Sequence, residues 1–509
     1  MKNFCYSLLL FAMGSCALGS SLQAQTADYS RRMVETHGKA WSADRQWDYV
    51  SGLVTKSILK TTTQYPDEAW SLTAYDWCKT FADNAINSDG SFKNFKKGNI
   101  DNIASGKVFF ELYDRELARG IQEGADAAAR YKTAADFLYN YLRNDYSRIQ
   151  LAEGRGCFFH KDIYPNQMWL DGLYMGAAFY AEWQAKFAPD DDEAWSDIAN
   201  QFITVHRHTY DADKKLNYHG WSADPTDKNS FWAKQDEPHL GCSSDFWGRG
   251  MGWFFASLVD VLDFMPADHP DYATLTQILQ QVAEGLKARQ DSQSGVWYQL
   301  LQYDDTFVGE CGKKNYLEAS ASSMFTYAYL KALRLGLLDD SYRPMAEKAY
   351  QGLITTFVTE NADKSLNLNH SCRSAGLGPA SSPNRDGSAS YYLCGGDVTE
   401  VSNEGKSIGP FIMASLEHEL AVADAAAQSK LTADAQLTIA RTADHITLTS
   451  AATDSIDAHL TFLTGGEAIA SQRNVGTVTF PTDSLAAGVY MLYGTVDGRK
   501  YARKVFVVK

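Results

Sequence analysis

A carboxylic acid set among aromatic and aliphatic neighbours at the start of a buried helix can act as a proton donor near neutral pH. Asp171 has that setting: it lies in His160-Lys-Asp-Ile-Tyr-Pro-Asn-Gln-Met-Trp-Leu-Asp-Gly-Leu-Tyr-Met175, directly flanked by Trp169, Leu170, Gly172 and Leu173. Burial penalises the carboxylate, so the expectation is a raised pKa and general-acid chemistry. The competing reading, equally weighted by spacing alone, is an aspartate that only serves the free amides of a helix N-terminus. A second cluster is Cys242-Ser-Ser-Asp-Phe-Trp-Gly-Arg-Gly-Met-Gly-Trp253. Arg249 there carries a planar fork suited to a carboxylate, with Trp247 and Trp253 nearby as candidate sugar platforms; toroid core for the Trp pair and a structural ion pair for Arg249 are the alternatives. His219, in Tyr218-His-Gly-Trp221, and Asp101, in Asp-Asn-Ile-Ala-Ser-Gly-Lys107, complete the set; singly, each such residue is more often structural than catalytic. The chain has no Gly-x-Ser-x-Gly elbow, P-loop or His-Glu-x-x-His pair, which argues against serine hydrolysis, phosphoryl transfer and zinc chemistry.

The elements that must position these residues are helical from residue 30 to about 425. Tyr131, Ala134, Ala135, Leu138, Tyr141 and Leu142 fall on one helical face, as do Trp195, Ile198, Ala199 and Phe202, and Leu275, Ile278, Leu279 and Val282. Between these one-sided helices lie segments apolar almost all round: Met168 to Phe187, Met251 to Phe264 and Ser320 to Leu337. Outer and inner helices therefore alternate. Short aromatic strands recur in the connections, at Gly156 to His160, Leu216 to Trp221, Gly295 to Tyr298 and Leu366 to Asn369, which suggests a closed array of helical hairpins. In such a toroid the inner helices begin on one rim, where the cleft is expected. After about residue 428 short alternating runs and the Asp497-Gly498 turn signal predict a small β-sandwich; it also resembles the C-terminal sorting or accessory modules of secreted Bacteroidetes proteins.

Among 509 residues, 62 acidic side chains face 47 basic ones, a net charge of −15, so the surface as a whole repels nucleic acid and an acidic substrate needs a locally basic pocket. Lys2, an apolar run from Phe4 to Leu18 and the small-residue exit at Ala24 read as a cleaved secretory signal over residues 1–24. Export follows, with the periplasm favoured and the cell surface or secretion as alternatives; Cys16 is an alternative lipidation site. The remaining cysteines, Cys78, Cys157, Cys242, Cys311, Cys372 and Cys394, are too scattered for a zinc motif, and free buried thiols are the default expectation. No later segment is long and apolar enough to span a membrane.

Taken in order, Trp47 to Gly52, Asp101 to Lys107, His160 to Met175, His219 to Trp221, Phe246 to Trp253, Glu318 to Met324 and Lys406 to Pro410 resemble the motifs of unsaturated rhamnogalacturonyl hydrolases, glycoside hydrolase family 105, related to the unsaturated glucuronyl hydrolases. The resemblance spans about residues 30 to 425. It implies an all-α (α/α)6 barrel over 25–427, followed by the β-sandwich over 428–509. It also implies removal of a terminal 4,5-unsaturated galacturonyl unit by hydration of the C4=C5 vinyl ether, with Asp171 as general acid/base and Asp101 as supporting carboxylate. Tyr49, His160, Lys161, Tyr164, His219, Trp247, Arg249, Trp253 and Lys406 match positions lining the substrate pocket. No metal or organic cofactor is implied. The alternatives are an unsaturated glucuronyl unit as substrate, an ordinary inverting glycosidase with two essential carboxylates, and a non-catalytic binding module. The loop before Lys406 reads Asn-Glu-Gly-Lys-Ser-Ile-Gly where the family more often has Lys-Gly-Val-Gly, and insertions around Asp224 to Leu240 and Leu377 to Ser390 bear on substrate length.

Overall fold

The structure is a computed structural model, and it describes residues 28–150, 156–435 and 437–507 apart from 443, 451–453, 463–468, 483–484, 486–487 and 498. The expected signal segment and Cys16 lie outside the described residues.

Six inner segments, Tyr49–Gln64, 101–117, 170–187, Gly248–Phe264, Ala319–Leu335 and Gly405–Ala435, each pack against the next, and the last returns to the first. Six one-sided helices lie outside them: Tyr29–Trp41, Ala69–Ala85, Gln122–Asn140, Asp192–Thr209, Tyr272–Lys287 and Arg343–Phe357. Periodicity explains the division. Tyr272–Lys287 buries Leu275, Ile278, Leu279, Val282 and Leu286 on one stripe, whereas Ala319–Leu335 is buried from Ala319 through Leu333. The inner helices carry strong start and stop signals. Asp48 accepts from the amides of Val50 and Ser51, Glu318 from those of Ser320 and Ala321, and Gly336 closes its helix in the left-handed conformation. Neighbouring inner segments come very close at Gly52, where a Cβ would sit 2.6 Å from the Cα of Ser105. Any side chain there would force the ring open.

Below the rim the inner helices bury charge. Lys56 pairs with Glu111 and Glu182 at 2.6 and 2.5 Å, and Lys331 with Asp260 and Asp263 at 2.7 and 2.9 Å. Lys107 has no carboxylate this close among the described residues: its Nζ donates to the carbonyl of Tyr174 at 3.0 Å and lies 3.3 Å from the centre of that ring. Burial pushes its pKa down to about 7. Between that value and the ordinary lysine range near about 10.4 the unfolded chain binds the extra proton, so stability rises with pH across this window. The rise is expected in wild-type denaturation midpoints and is expected to be lost in Lys107→Met.

The expectation of free thiols holds for Cys78, Cys157, Cys242 and Cys372, all buried, and is corrected for Cys311 and Cys394, which form a disulfide across a sequence separation of 83. Sequence spacing carried no sign of this pair, because its partners meet only once the loop before Ala319–Leu335 and the short helix Ala389–Cys394 are folded together. Replacing both by serine is expected to cost about 2–4 kcal/mol in denaturant titration, mainly through the freed unfolded chain.

The last inner helix continues to Ala435, and strands begin at Thr438. Three strands, Thr438–Arg441, His445–Thr449 and Thr477–Pro481, form one antiparallel sheet; four, Ser455–Phe462, Ala470–Val475, Gly488–Val496 and Arg499–Val507, form a second. Alternate residues of both, including Ile446, Leu448, Val478, Phe480, Leu460, Tyr490 and Leu492, bury into one shared core. Val496 pairs with Arg499; Gly498 of the expected turn lies outside the described residues.

Candidate active site

The rim from which the inner helices start carries the site residues. Tyr49 and Asp101 are the first residues of their helices; Asp171, Arg249 and Lys406 are each the second. A short ladder brings Asp171 beside His219. Gln167–Trp169 pairs antiparallel with Gly220–Ser222, and the amide of Leu170 donates to the carbonyl of His219 at 2.9 Å. His219 Nε2 then lies 3.0 Å from Oδ2 of Asp171, and its Nδ1 lies 2.7 Å from the hydroxyl of Tyr392. The backbone after Asp171 widens into a π-helical turn, Leu173–Ala177, of the kind found where a helix is re-aimed at a functional site.

The expectation of a raised pKa at Asp171 is corrected. Burial does push its carboxyl upward, but the attraction and hydrogen bond of His219 outweigh it and hold the group below the ordinary carboxylate value. The flanking apolar residues were legible in the sequence; the histidine 48 residues away was not tied to them.

The other residues gather around this pair. Lys161 makes an ion pair with Asp101 at 2.7 Å, and Asn99 bridges to Lys161, so the loop before Asp171 is stitched to the start of the neighbouring inner helix. His160 stacks on Trp169 at 4.1 Å and Trp169 on Tyr164 at 5.0 Å. Burial, reinforced by the charge of Lys161, holds the imidazole of His160 well below its usual pKa, so it is neutral. Both insertions lie behind this ring stack: Trp232 and Leu377 join Tyr164 and Trp169 in one apolar cluster, and Gln167 donates to the carbonyl of Asn229 at 3.0 Å.

Arg249 is 1% exposed. One terminal nitrogen donates to the carbonyl of Cys372, while Nε and Nη1 have no hydrogen-bond partner among the described residues. Burial acts to lower its pKa, but nearby negative groups, among them Glu318, more than compensate, and the guanidinium stays charged. Tyr49 is raised above the usual phenol value, first by burial and then by Asp101, with Arg249, Asp171 and Glu404 also in range; one hydroxyl thus senses four groups of the rim. Trp247 and Trp253 lie in the wall. Trp247 stacks on Tyr392 at 5.7 Å and contacts His219 at 4.7 Å; Trp253 meets Tyr174 at 4.7 Å and Tyr49 at 6.5 Å. Both indoles are 2% exposed, so their faces are taken by protein rings. Lys406 pairs with Glu404 at 2.6 Å, a partner supplied by the divergent loop, and burial holds its pKa below the lysine norm. Glu318 is structural: its carboxylate receives Ser320, Ala321 and the amide of Cys372. Sequence reasoning missed Tyr392, which follows the insertion over 377–390 and has no motif around it.

Among the described residues no group of His, Cys, Asp and Glu is placed to hold a metal ion, and no helix is long and apolar enough to cross a membrane. The arrangement offers a buried carboxyl with a histidine partner and, on the same rim, a guanidinium with two donors that have no partner among the described residues.

A glycoside hydrolase from family 105 of C. acetobutylicum is 35% identical and superimposes with a TM-score of 0.65 over 77% of this chain and 99% of its own. The unsaturated rhamnogalacturonyl hydrolase YesR of Bacillus subtilis is 25% identical over 173 residues, 34% of this chain and 43% of that protein. An unsaturated 3S-rhamnoglycuronyl hydrolase of Formosa agariphila is 25% identical over 194 residues, 36% of this chain and 45% of that protein. The family model of Glycosyl Hydrolase Family 88 matches residues 24–421. A chain matched over that span, with a family 105 enzyme as a structural relative, belongs to Glycosyl Hydrolase Family 88 and is a glycoside hydrolase.

Proposed function

We propose that this hydrolase removes a terminal 4,5-unsaturated galacturonyl unit from lyase-generated rhamnogalacturonan oligosaccharides, within an (α/α)6 barrel that carries a β-sandwich accessory module, and that it does so after export, most naturally in the periplasm. The observation that carries the reading is Arg249: a fully buried guanidinium with two donors that have no partner among the described residues, on the same rim as the Asp171–His219 pair. Such a group suits a substrate carboxylate held next to the reacting carbon. Lys161 is the weaker candidate for that task, because Asp101 already neutralises it.

In this reading Asp171 enters the reaction protonated. An anion seated at Arg249 excludes water and adds negative charge to the rim, and both raise the carboxyl from its depressed unliganded value. Asp171 gives its proton to C4 as the C4=C5 π electrons form the new C–H bond. The cation at C5 is shared with the ring oxygen. Water adds at C5 and returns a proton to Asp171, leaving a hemiketal that opens and releases the aglycone from C1. One carboxyl suffices because C1 is never attacked, unlike in an ordinary glycosidase.

The relative named as an unsaturated 3S-rhamnoglycuronyl hydrolase supports a second reading, the same hydration on an unsaturated glucuronyl unit. Decay of the ultraviolet absorbance of the conjugated double bond separates the two. Loss of signal on unsaturated rhamnogalacturonan disaccharide supports the first. Decay only on unsaturated glucuronides replaces it with the second, and turnover of saturated glycosides alone overturns both.

A further inference from the structure

Tyr392 belongs to the short helix Ala389–Cys394, which lies outside both layers of the ring. It is completely buried, and its hydroxyl has one hydrogen-bond partner among the described residues, Nδ1 of His219 at 2.7 Å. The segment is tied down on every side. The side chain of Ser388 accepts from the amide of Tyr391, the amide of Ala389 donates to Asp245 at 2.8 Å, Gln299 donates to the carbonyl of Tyr392 at 3.1 Å, and Cys394 is linked to Cys311.

We propose that Tyr392 is a positioning residue for the acid/base centre: by donating its hydroxyl proton to Nδ1 of His219, it holds the imidazole in the tautomer that presents Nε2–H to Asp171. The inference deepens the proposed function and rests on it where Asp171 is taken as the acid. A neutral imidazole has one N–H. If Tyr392 accepted from Nδ1 instead, its own buried proton would point at nothing, and a buried unsatisfied donor is costly. In the neutral ring the phenol is therefore the donor and Nδ1 the bare nitrogen. Nε2 then carries the proton, which complements the ionised carboxylate and opposes two facing acceptors.

The consequence is a bias on Asp171. Favouring Nε2–H favours the carboxylate, so removal of the phenol hydroxyl lets the other tautomer in and lets Asp171 keep its proton to higher pH. The other groups facing the pair stay in place in such a variant. They are His160 and Lys161 from the preceding loop, Asp101, Arg249 and Tyr49 from neighbouring helix starts, and Asp245, Asp386 and Tyr391 around the phenol.

Tyr392→Phe keeps the ring on Trp247 and deletes only the hydroxyl. With 15N-labelled histidine and no substrate, at a pH where the ring is neutral, the His219 signals, identified by their loss in His219→Gln, are expected to report Nε2–H in the wild type and a mixture in the variant. The basic limb of kcat/KM against pH is expected to move up by about 0.5 to 1 unit, the loss of one hydrogen bond. An unchanged tautomer with an unchanged limb, or a rise in KM alone, overturns the proposal. If Tyr392→Phe fails to fold, 3,5-difluorotyrosine at position 392, a stronger donor, is expected to move the limb down, and no movement overturns it. Should the wild type act on no unsaturated uronide, the functional reading fails, while the tautomer measurement still decides this one.

Discussion

Replacing Asp171 with Asn is expected to lower kcat on an unsaturated uronide by about 10²- to 10⁴-fold, the range for losing a positioned general acid. Asn is nearly isosteric, and its side-chain oxygen still accepts from His219 Nε2, so the ladder between Gln167–Trp169 and Gly220–Ser222 has no reason to shift. The melting temperature should stay close to wild type, and KM should change little, because the carboxylate of the substrate is held elsewhere. Ultraviolet single-turnover decay measures the effect directly. A variant that keeps a tenth of wild-type activity would remove Asp171 from the acid role. With Asp171 as the proposed acid, activity is expected to decline on the alkaline side, and the depressed pKa of the unliganded carboxyl should make that decline start at lower pH in kcat/KM than in kcat.

Arg249→Met is the second large effect. Truncating one partner of a buried, hydrogen-bonded charge pair costs about 2–5 kcal/mol, which corresponds to a fall in kcat/KM of about 30- to 5,000-fold. The loss should appear on substrates with a free uronate and largely vanish on their methyl esters, since an ester offers the guanidinium no charge. Arg249→Lys should recover only a small part, because a point charge cannot reproduce the planar fork at Nε and Nη1. Stability should fall as well. Met fills similar volume but leaves buried Glu318 without its cation and the carbonyl of Cys372 without its donor, so the variant should unfold below the wild-type midpoint, on which acid and ester substrates have no bearing. Equal losses on acid and ester would show that Arg249 holds the wall of the site and does not bind the carboxylate.

What could be read from the chain depended on range. The alternation of one-sided and all-apolar helices is a local signal, and Tyr272–Lys287 and Ala319–Leu335 follow it closely. Strand signals in the connections were weaker: Leu366–Leu368 and Gly220–Ser222 form short strands, but the segments at Gly156 to His160 and Gly295 to Tyr298 make only isolated bridges. A few backbone pairs at a helix entrance do not need a full strand. Asp171, Arg249 and His219 stood out by their own neighbours. Their partners did not. The lowering of Asp171 comes from His219, the neutralisation of Lys161 from Asp101, and the anchoring of Tyr392 from a disulfide and an insertion. Each requires a contact across the ring, which spacing along the chain does not contain. The tryptophans show the same limit: their place beside Arg249 left sugar platforms and toroid core both open, and closure of the ring placed Trp247 and Trp253 in the wall.

Starting six inner segments from one rim also has an electrostatic consequence that no single side chain expresses. Each helix presents its positive dipole end, equivalent to about half an elementary charge, at the same opening. Opposite ends of the same helices carry the compensating negative charge to the far side of the ring. Within a molecule of net charge −15, these dipole ends are a fixed contribution that favours an anion at this rim. Uncharged sugars feel no such pull. Capture of charged oligosaccharides should accordingly slow as ionic strength rises, while capture of their neutral counterparts should not.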